Sequence, residues 1–173
     1  MKRFIAAAVL AASSTTALAQ ASPQSGVYGY GQIGPADLQG VRDGVAIKFG
    51  ADFMKDLAGV KGLGLTGFVS RWDGDSRGTD ITGTTFAGGA TFDVPLPDTR
   101  FSLQARAFLS YSRVEVDFAP FGGGFSDNSL DLGFGIGGAY RIDNRLSVRV
   151  DYDLISADGS DADILTGGIG YRF

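Results

Sequence analysis

The sequence has no cysteine and no histidine among its 173 residues, and only two methionines, five prolines and one tryptophan. Without cysteine there can be no disulfide framework, thiolate nucleophile or thiolate metal site. Without histidine the usual side chain that titrates near neutrality is missing, so acid–base catalysis would have to run on carboxylates alone. We therefore expect no enzyme, no cofactor and no metal site. Beyond the N-terminus no segment approaches the ~20 consecutive apolar residues that a membrane-spanning helix needs. The formal net charge of −4 argues against nucleic acid as a partner, since phosphate binding requires a basic face.

What is present begins with an export signal. Met1-Lys2-Arg3 is basic, Phe4 to Ala12 is apolar, and Thr15 to Gln20 supplies small residues. Ala17-Leu18-Ala19 and Ala19-Gln20-Ala21 both fit the small-x-small rule of a signal peptidase site. The expected organisation is a cleaved signal over residues 1–21 and one domain over 22–173. Removing Lys2 and Arg3 leaves 13 basic against 19 acidic residues, a net charge near −6.

The rest of the chain repeats one unit: about ten residues with period two, broken by Gly, Pro, Asp or Asn. Eight such units occur. The clearest sets Leu146, Val148, Val150, Tyr152 and Leu154 against Ser147, Arg149, Asp151 and Asp153. Gly44 to Met54 is also clean, and Thr82 to Val94, Arg100 to Val116 and Ser129 to Ile142 alternate with the same period. In Leu63 to Trp72 the bulky Phe68 falls on the polar face, and in Gly26 to Gly34 the choice of faces is open. The eighth unit, Asp163 to Phe173, alternates Leu165, Gly167, Ile169, Tyr171 and Phe173 with Thr166, Gly168, Gly170 and Arg172.

A soluble sandwich would turn the apolar faces inward, whereas a membrane barrel turns them to lipid. The polar faces here are mostly Gly, Ala, Ser and Thr, which suits a crowded interior better than a solvated surface. Aromatic residues stand near the ends of the apolar faces, as in interfacial girdles. The reading is all-β: an eight-stranded antiparallel up-and-down transmembrane barrel. Lys55 to Gly62, Pro95 to Thr99 and Asp143 to Arg145 are expected as periplasmic turns. Pro35 to Asp43, Asp73 to Ile81, Asp117 to Asn128 and Ser156 to Ala162 are expected as outer loops.

Signal, strand count and the terminal Gly-Ile-Gly-Tyr-Arg-Phe together resemble the small outer-membrane β-barrel superfamily, the opacity-type and OmpA/OmpX-like proteins. The resemblance implies location in the outer membrane of a Gram-negative bacterium, in contact with its lipid. It also implies that the insertion machinery reads the C-terminal strand through Tyr171 and Phe173. Barrel enzymes among this superfamily's neighbours typically rely on a histidine, which this chain lacks.

On the predicted inner faces Lys48, Arg106, Arg149 and Arg172 oppose Asp52, Asp93, Asp131, Asp151 and Asp153, a near-balanced set that points to a structural ion network centred on Asp151 and Asp153. Asp73 to Asp80 resembles a calcium loop only superficially, because Arg77 and Thr84 stand where an EF-hand needs an oxygen ligand and a Glu. Trp72, Phe118, Phe121 and Phe125 are the outer-loop candidates for contact with an extracellular surface or protein ligand. The expected function is structural or surface-interacting, adhesin-like, with a plugged polar interior. Alternatives are a small porin-like pore and a soluble exported β-domain that binds a small apolar ligand. Intact-mass analysis of the exported protein should show a mature chain starting at Gln20 or Ser22; retention of Met1 to Ala19 would refute the cleaved signal.

Overall fold

In the computed structural model the described residues are 26–38, 41–54, 57–76, 79–118, 123–157 and 160–173; the predicted signal sequence and Phe121 lie outside them. The strands are β1 (Gly26–Leu38), β2 (Val41–Met54), β3 (Leu63–Ser76), β4 (Thr79–Pro95), β5 (Phe101–Phe118), β6 (Gly123–Arg141), β7 (Leu146–Ala157) and β8 (Ser160–Arg172). Each pairs antiparallel with its neighbours in sequence, and β1 pairs with β8 to close the ring. Over the height at which all eight ladders run, closure leaves no free edge, so the backbone N–H and C=O groups there pair with neighbouring strands.

Side-chain alternation then sorts the residues. Phe49, Leu65, Phe86, Leu109, Ile136, Val150 and Ile169 all point outward and are exposed, while Lys48, Asp52, Thr66, Ser110, Arg149 and Asp151 are buried inside. This is the reverse of a soluble sandwich, and it removes the soluble-domain alternative. The open choice in β1 resolves with Tyr30 and Gln32 buried and Val27 and Ile33 exposed. On β5 the apolar belt runs from Phe101 to Tyr111. Ten residue steps at ~3.3 Å, tilted by ~40°, span about 25 Å, the height of a lipid-facing band.

The ends of the barrel differ. At the end holding the chain termini the connections are tight, with left-handed backbone at Ala58 (φ 54°), Gly59 (φ 79°) and Gly62 (φ 81°) between β2 and β3. In the turn between β6 and β7, the Asp143 carboxylate accepts the N–H groups of Arg145 at 2.7 Å and Leu146 at 2.8 Å. Those two bonds hold its carboxyl below the usual range. At the other end the strands run on where loops were expected. β3 and β4 reach Ser76 and Thr79, still paired, and β5 and β6 pair as far as Phe118 and Gly123. β1, β2, β7 and β8 likewise extend to Leu38, Val41, Ala157 and Ser160. Above the lipid the outward face can be polar, so Asp and Gly there no longer signal the end of a strand, while backbone pairing continues.

Three inward aromatics each lie over a glycine directly across on the next strand: Tyr30 over Gly50, Trp72 over Gly83 and Phe108 over Gly133. A Cβ at Gly133 would stand 2.1 Å from the Phe108 ring, whereas one at Gly138, on the outward face, would meet nothing nearer than the Ser102 carbonyl at 3.8 Å. Gly133→Ala should therefore cost about 1–3 kcal/mol of overpacking, and Gly138→Ala less than about 0.5 kcal/mol. Urea unfolding of the barrel in lipid vesicles measures both; equal effects would contradict this packing.

Candidate functional site

Chemistry-bearing residues concentrate in the lumen, and a three-strand register places them there. Gln104, Arg106 and Phe108 of β5 stand opposite Gly137, Gly135 and Gly133 of β6. Those glycines in turn stand opposite Asp151, Asp153 and Ile155 of β7. The β6 glycines form a trough across which β5 side chains reach β7. A Cβ at Gly135 would fall 2.3 Å from Asp153 Oδ1 and 2.8 Å from Arg106, and one at Gly137 would fall 2.1 Å from Asp151 Oδ1.

Across the trough Arg106 Nη2 lies 2.6 Å from Asp151 Oδ2, and its Nε lies 3.3 Å from Asp153 Oδ1. From the facing wall, Lys48 Nζ reaches Asp153 Oδ2 at 2.7 Å and Asp151 Oδ2 at 3.2 Å. Arg149 joins Asp52 to the cluster, at 2.6 Å through Nη1, and approaches Asp151 at 3.4 Å through Nη2. Lys48, Asp52, Asp151 and Asp153 are each about 1% exposed. Three cations and three carboxylates make the cluster neutral. That balance matters because a carboxylate or ammonium withdrawn from water costs several kcal/mol unless paired.

Neutral residues complete the arrangement. Gln104 donates Nε2 to Asp52 at 3.2 Å and accepts from Arg149 through its carbonyl oxygen. Thr66 donates to Asp52 at 2.6 Å. The Arg149 guanidinium lies 4.1 Å from the Tyr30 ring centroid, and Lys48 Nζ lies 5.4 Å from that of Phe68. Gln104, Thr66 and Tyr30 were missing from the sequence-based set. Inward parity was available as a signal for Gln104 and Thr66 but not for Tyr30, whose strand left its faces open, and only the register shows that all three meet the charges.

The other expected network members stand apart from this cluster. Asp131 lies toward the outer end, where its carboxylate accepts from Ser129 at 2.5 Å. Asp93 and Arg172 belong to the inner mouth, where they line a cavity of about 70 Å³ with Tyr28, Arg141, Arg145 and the Asp52–Gln104–Arg149 floor. Between the ion cluster and the outer end lies an apolar group, in which Phe68 packs edge-on against Phe108 at 5.0 Å with Ile155 and Ile164, beside the buried hydroxyls of Ser110 and the hydrogen-bonded Thr85 and Ser112. Trp72 is part of that group at 5% exposure. Its expected display in an outer loop is corrected, because it sits at an inward position of β3 and fills the space over Gly83. Phe118 and Phe125 fall on the backbones of β5 and β6 and not in a loop. Tyr171 faces outward at the inner rim, stacked edge-on with Phe173 at 5.3 Å, and Phe173 is 80% exposed.

The family model described as outer membrane protein beta-barrel domain matches residues 4–173. Among curated proteins no sequence matches. Among solved structures the chain is similar to Neisserial surface protein A, at 18% identity and TM-score 0.71, covering 86% of this chain and 98% of that one. A major outer membrane protein from Thermus thermophilus is similar at 16% identity and TM-score 0.66, covering 86% of this chain and 98% of that one. Ail, the attachment invasion locus protein of Yersinia pestis, follows at 16% identity and TM-score 0.59, covering 87% of this chain and all of that one (100%). At these identities the likeness is one of fold.

Asp151→Asn leaves Lys48, Arg106 and Arg149 facing a deficit of negative charge, and should cost about 3–5 kcal/mol in unfolding free energy. Arg113→Gln, which removes the exposed 2.9 Å pair with Glu115, should change it by less than about 0.5 kcal/mol. Urea titrations of the two variants in vesicles, read by heat-modifiable gel mobility, check the contrast.

Proposed function

Because the chain belongs to the outer membrane protein beta-barrel domain family, we propose that this outer-membrane barrel is a closed scaffold that displays a projecting β-sheet for interaction at the cell surface. The observation that carries this reading is the unequal height of the wall. The β2–β3 ladder stops at Val45↔Asp73 and the β6–β7 ladder at Leu132↔Ser156. Between them β3, β4, β5 and β6 remain paired to Ser76↔Thr79 and Phe118↔Gly123. Beyond Tyr111, the seven residues Ser112 to Phe118 of β5 rise about 18 Å above the lipid band. Along Gly123 to Asp131, among the described residues, β6 pairs with β5 alone. Such an edge accepts an extended strand from a partner protein through backbone hydrogen bonds.

Charge narrows the partner. In the outer segments 37–43, 71–80, 113–127 and 158–163, eleven acidic residues stand against four arginines. A crown of that sign repels polyanions, in contrast to Ail, which has been crystallised with the heparin analogue sucrose octasulfate. A protein segment with basic flanks fits better. The role of the lumen, on this reading, is structural: the neutral Lys48–Asp52–Arg106–Arg149–Asp151–Asp153 cluster and the Phe68–Trp72–Phe108 layer fill an interior that in eight-stranded barrels is only as wide as its side chains. The three carboxylates of the cluster are each paired with a cation and the sequence has no histidine, so we propose no catalytic role. Tyr171 and Phe173 are proposed as the insertion signal. The porin-like alternative rests on the cavity at the inner mouth, above which the ion cluster and the aromatic layer follow in series.

Two measurements test this reading. Reconstituted barrel in planar bilayers should give no conductance steps, and steady single-channel steps would favour the pore. Val114 pairs with Asp127, so replacing Glu115 to Ser126 by an Asn-Gly turn shortens the hairpin without changing register. Cells displaying this variant should keep the heat-modifiable barrel and lose adherence to protein-coated surfaces, whereas unchanged adherence would refute the surface role of the sheet.

A further inference from the structure

We propose that the inner rim between β5 and β8 is a binding site for one anionic phospholipid of the membrane's periplasmic leaflet. The inference rests on the membrane setting of the barrel and is independent of the surface role above. Two outward aromatic pairs border the site: Phe101 with Tyr140 at 4.8 Å, and Tyr171 with Phe173 at 5.3 Å. Tyr140 is on β6 and Tyr171 on β8, two strands apart, so the pairs stand roughly 10 Å from each other. Between them runs β7, whose Val148 pairs with Tyr140 on one side and Ile169 on the other. Deeper in the membrane the floor drops, because Val150 is flanked by Gly138 and Gly167, at both of which a Cβ would meet nothing closer than a backbone oxygen at 3.8 Å. The result is a shallow apolar groove about as wide as two acyl chains.

The headgroup end is basic. Arg145 is exposed and donates Nη1 to the Tyr171 hydroxyl at 3.2 Å, which fixes its guanidinium at one border of the groove. Arg100, also exposed, donates Nη1 to the Ile142 carbonyl at 3.1 Å, which fixes it at the other border. The acid in the intervening turn, Asp143, accepts the backbone N–H groups of Arg145 and Leu146 through Oδ1, which ties that oxygen to the turn. Two guanidiniums bracketing one groove match a phosphodiester better than a neutral or zwitterionic headgroup.

Native mass spectrometry of the folded mature barrel, with equal amounts of phosphatidylglycerol and phosphatidylcholine added, tests the assignment. One phosphatidylglycerol should be retained in preference to phosphatidylcholine by about tenfold, and the Arg100→Gln/Arg145→Gln variant should lose that preference. Variant folding is checked by heat-modifiable mobility, and Arg113→Gln, on the outer end, should leave the preference intact. Equal retention of the two lipids, a preference that survives in the double variant, or a preference equally lost in Arg113→Gln would each overturn the site.

Discussion

Asp151 is the contact point on which the interior depends. Its carboxylate, 1% exposed, is approached by Lys48, Arg106 and Arg149 from three different strands. A carboxylate in that position is tolerable only because the cations are there, and the cations are tolerable only because Asp52 and Asp153 complete the balance. The geometry in turn requires the β6 glycines. Any side chain at Gly135 or Gly137 would occupy the space through which Arg106 and Asp151 meet. Charge pairing, glycine placement and strand register are therefore one constraint, met jointly by β2, β5, β6 and β7.

The outside follows from the same alternation read on the opposite parity. Each inward charge has outward apolar neighbours, so packing the lumen with polar residues coats the wall with Phe, Leu, Ile and Val. The band so formed is about 25 Å high, and its ends are marked differently. The inner rim carries tight turns, stacked aromatics and arginines, while the outer end carries continuing strands and acid. On the proposals above, this asymmetry separates a face for phospholipid from a face for another protein.

Much of this was legible in the sequence, because a period of two needs no tertiary information. Seven strands declared their faces outright. β1 did not, because Gly29 and Gly31 on its outward side carry no signal, and only pairing with β2 and β8 assigns Tyr30 to the lumen. Phe68 looked misplaced on a polar face until Phe108 met it edge-on inside. The six charges at the lumen centre were legible as inward residues, but Asp93, Asp131 and Arg172 share their parity without sharing their height along the axis. Gln104, Thr66 and Tyr30 escaped notice because a neutral side chain becomes part of a charge network only through its neighbours. The long outer strands were misread because, above the lipid, polar outward residues no longer mark a strand's end; Trp72, the last residue of its expected strand, was misassigned because its place beside a loop outweighed its inward parity.

The central claim is that the lumen charges are energetically coupled and not merely adjacent. A double-mutant cycle between Arg106→Leu and Asp151→Leu, with unfolding free energies measured in vesicles, tests it most directly. The buried 2.6 Å pair predicts a coupling of about 1.5 kcal/mol or more. Additivity of the two single changes to within about 0.5 kcal/mol would contradict it, and would leave the interior held by apolar packing and backbone pairing alone.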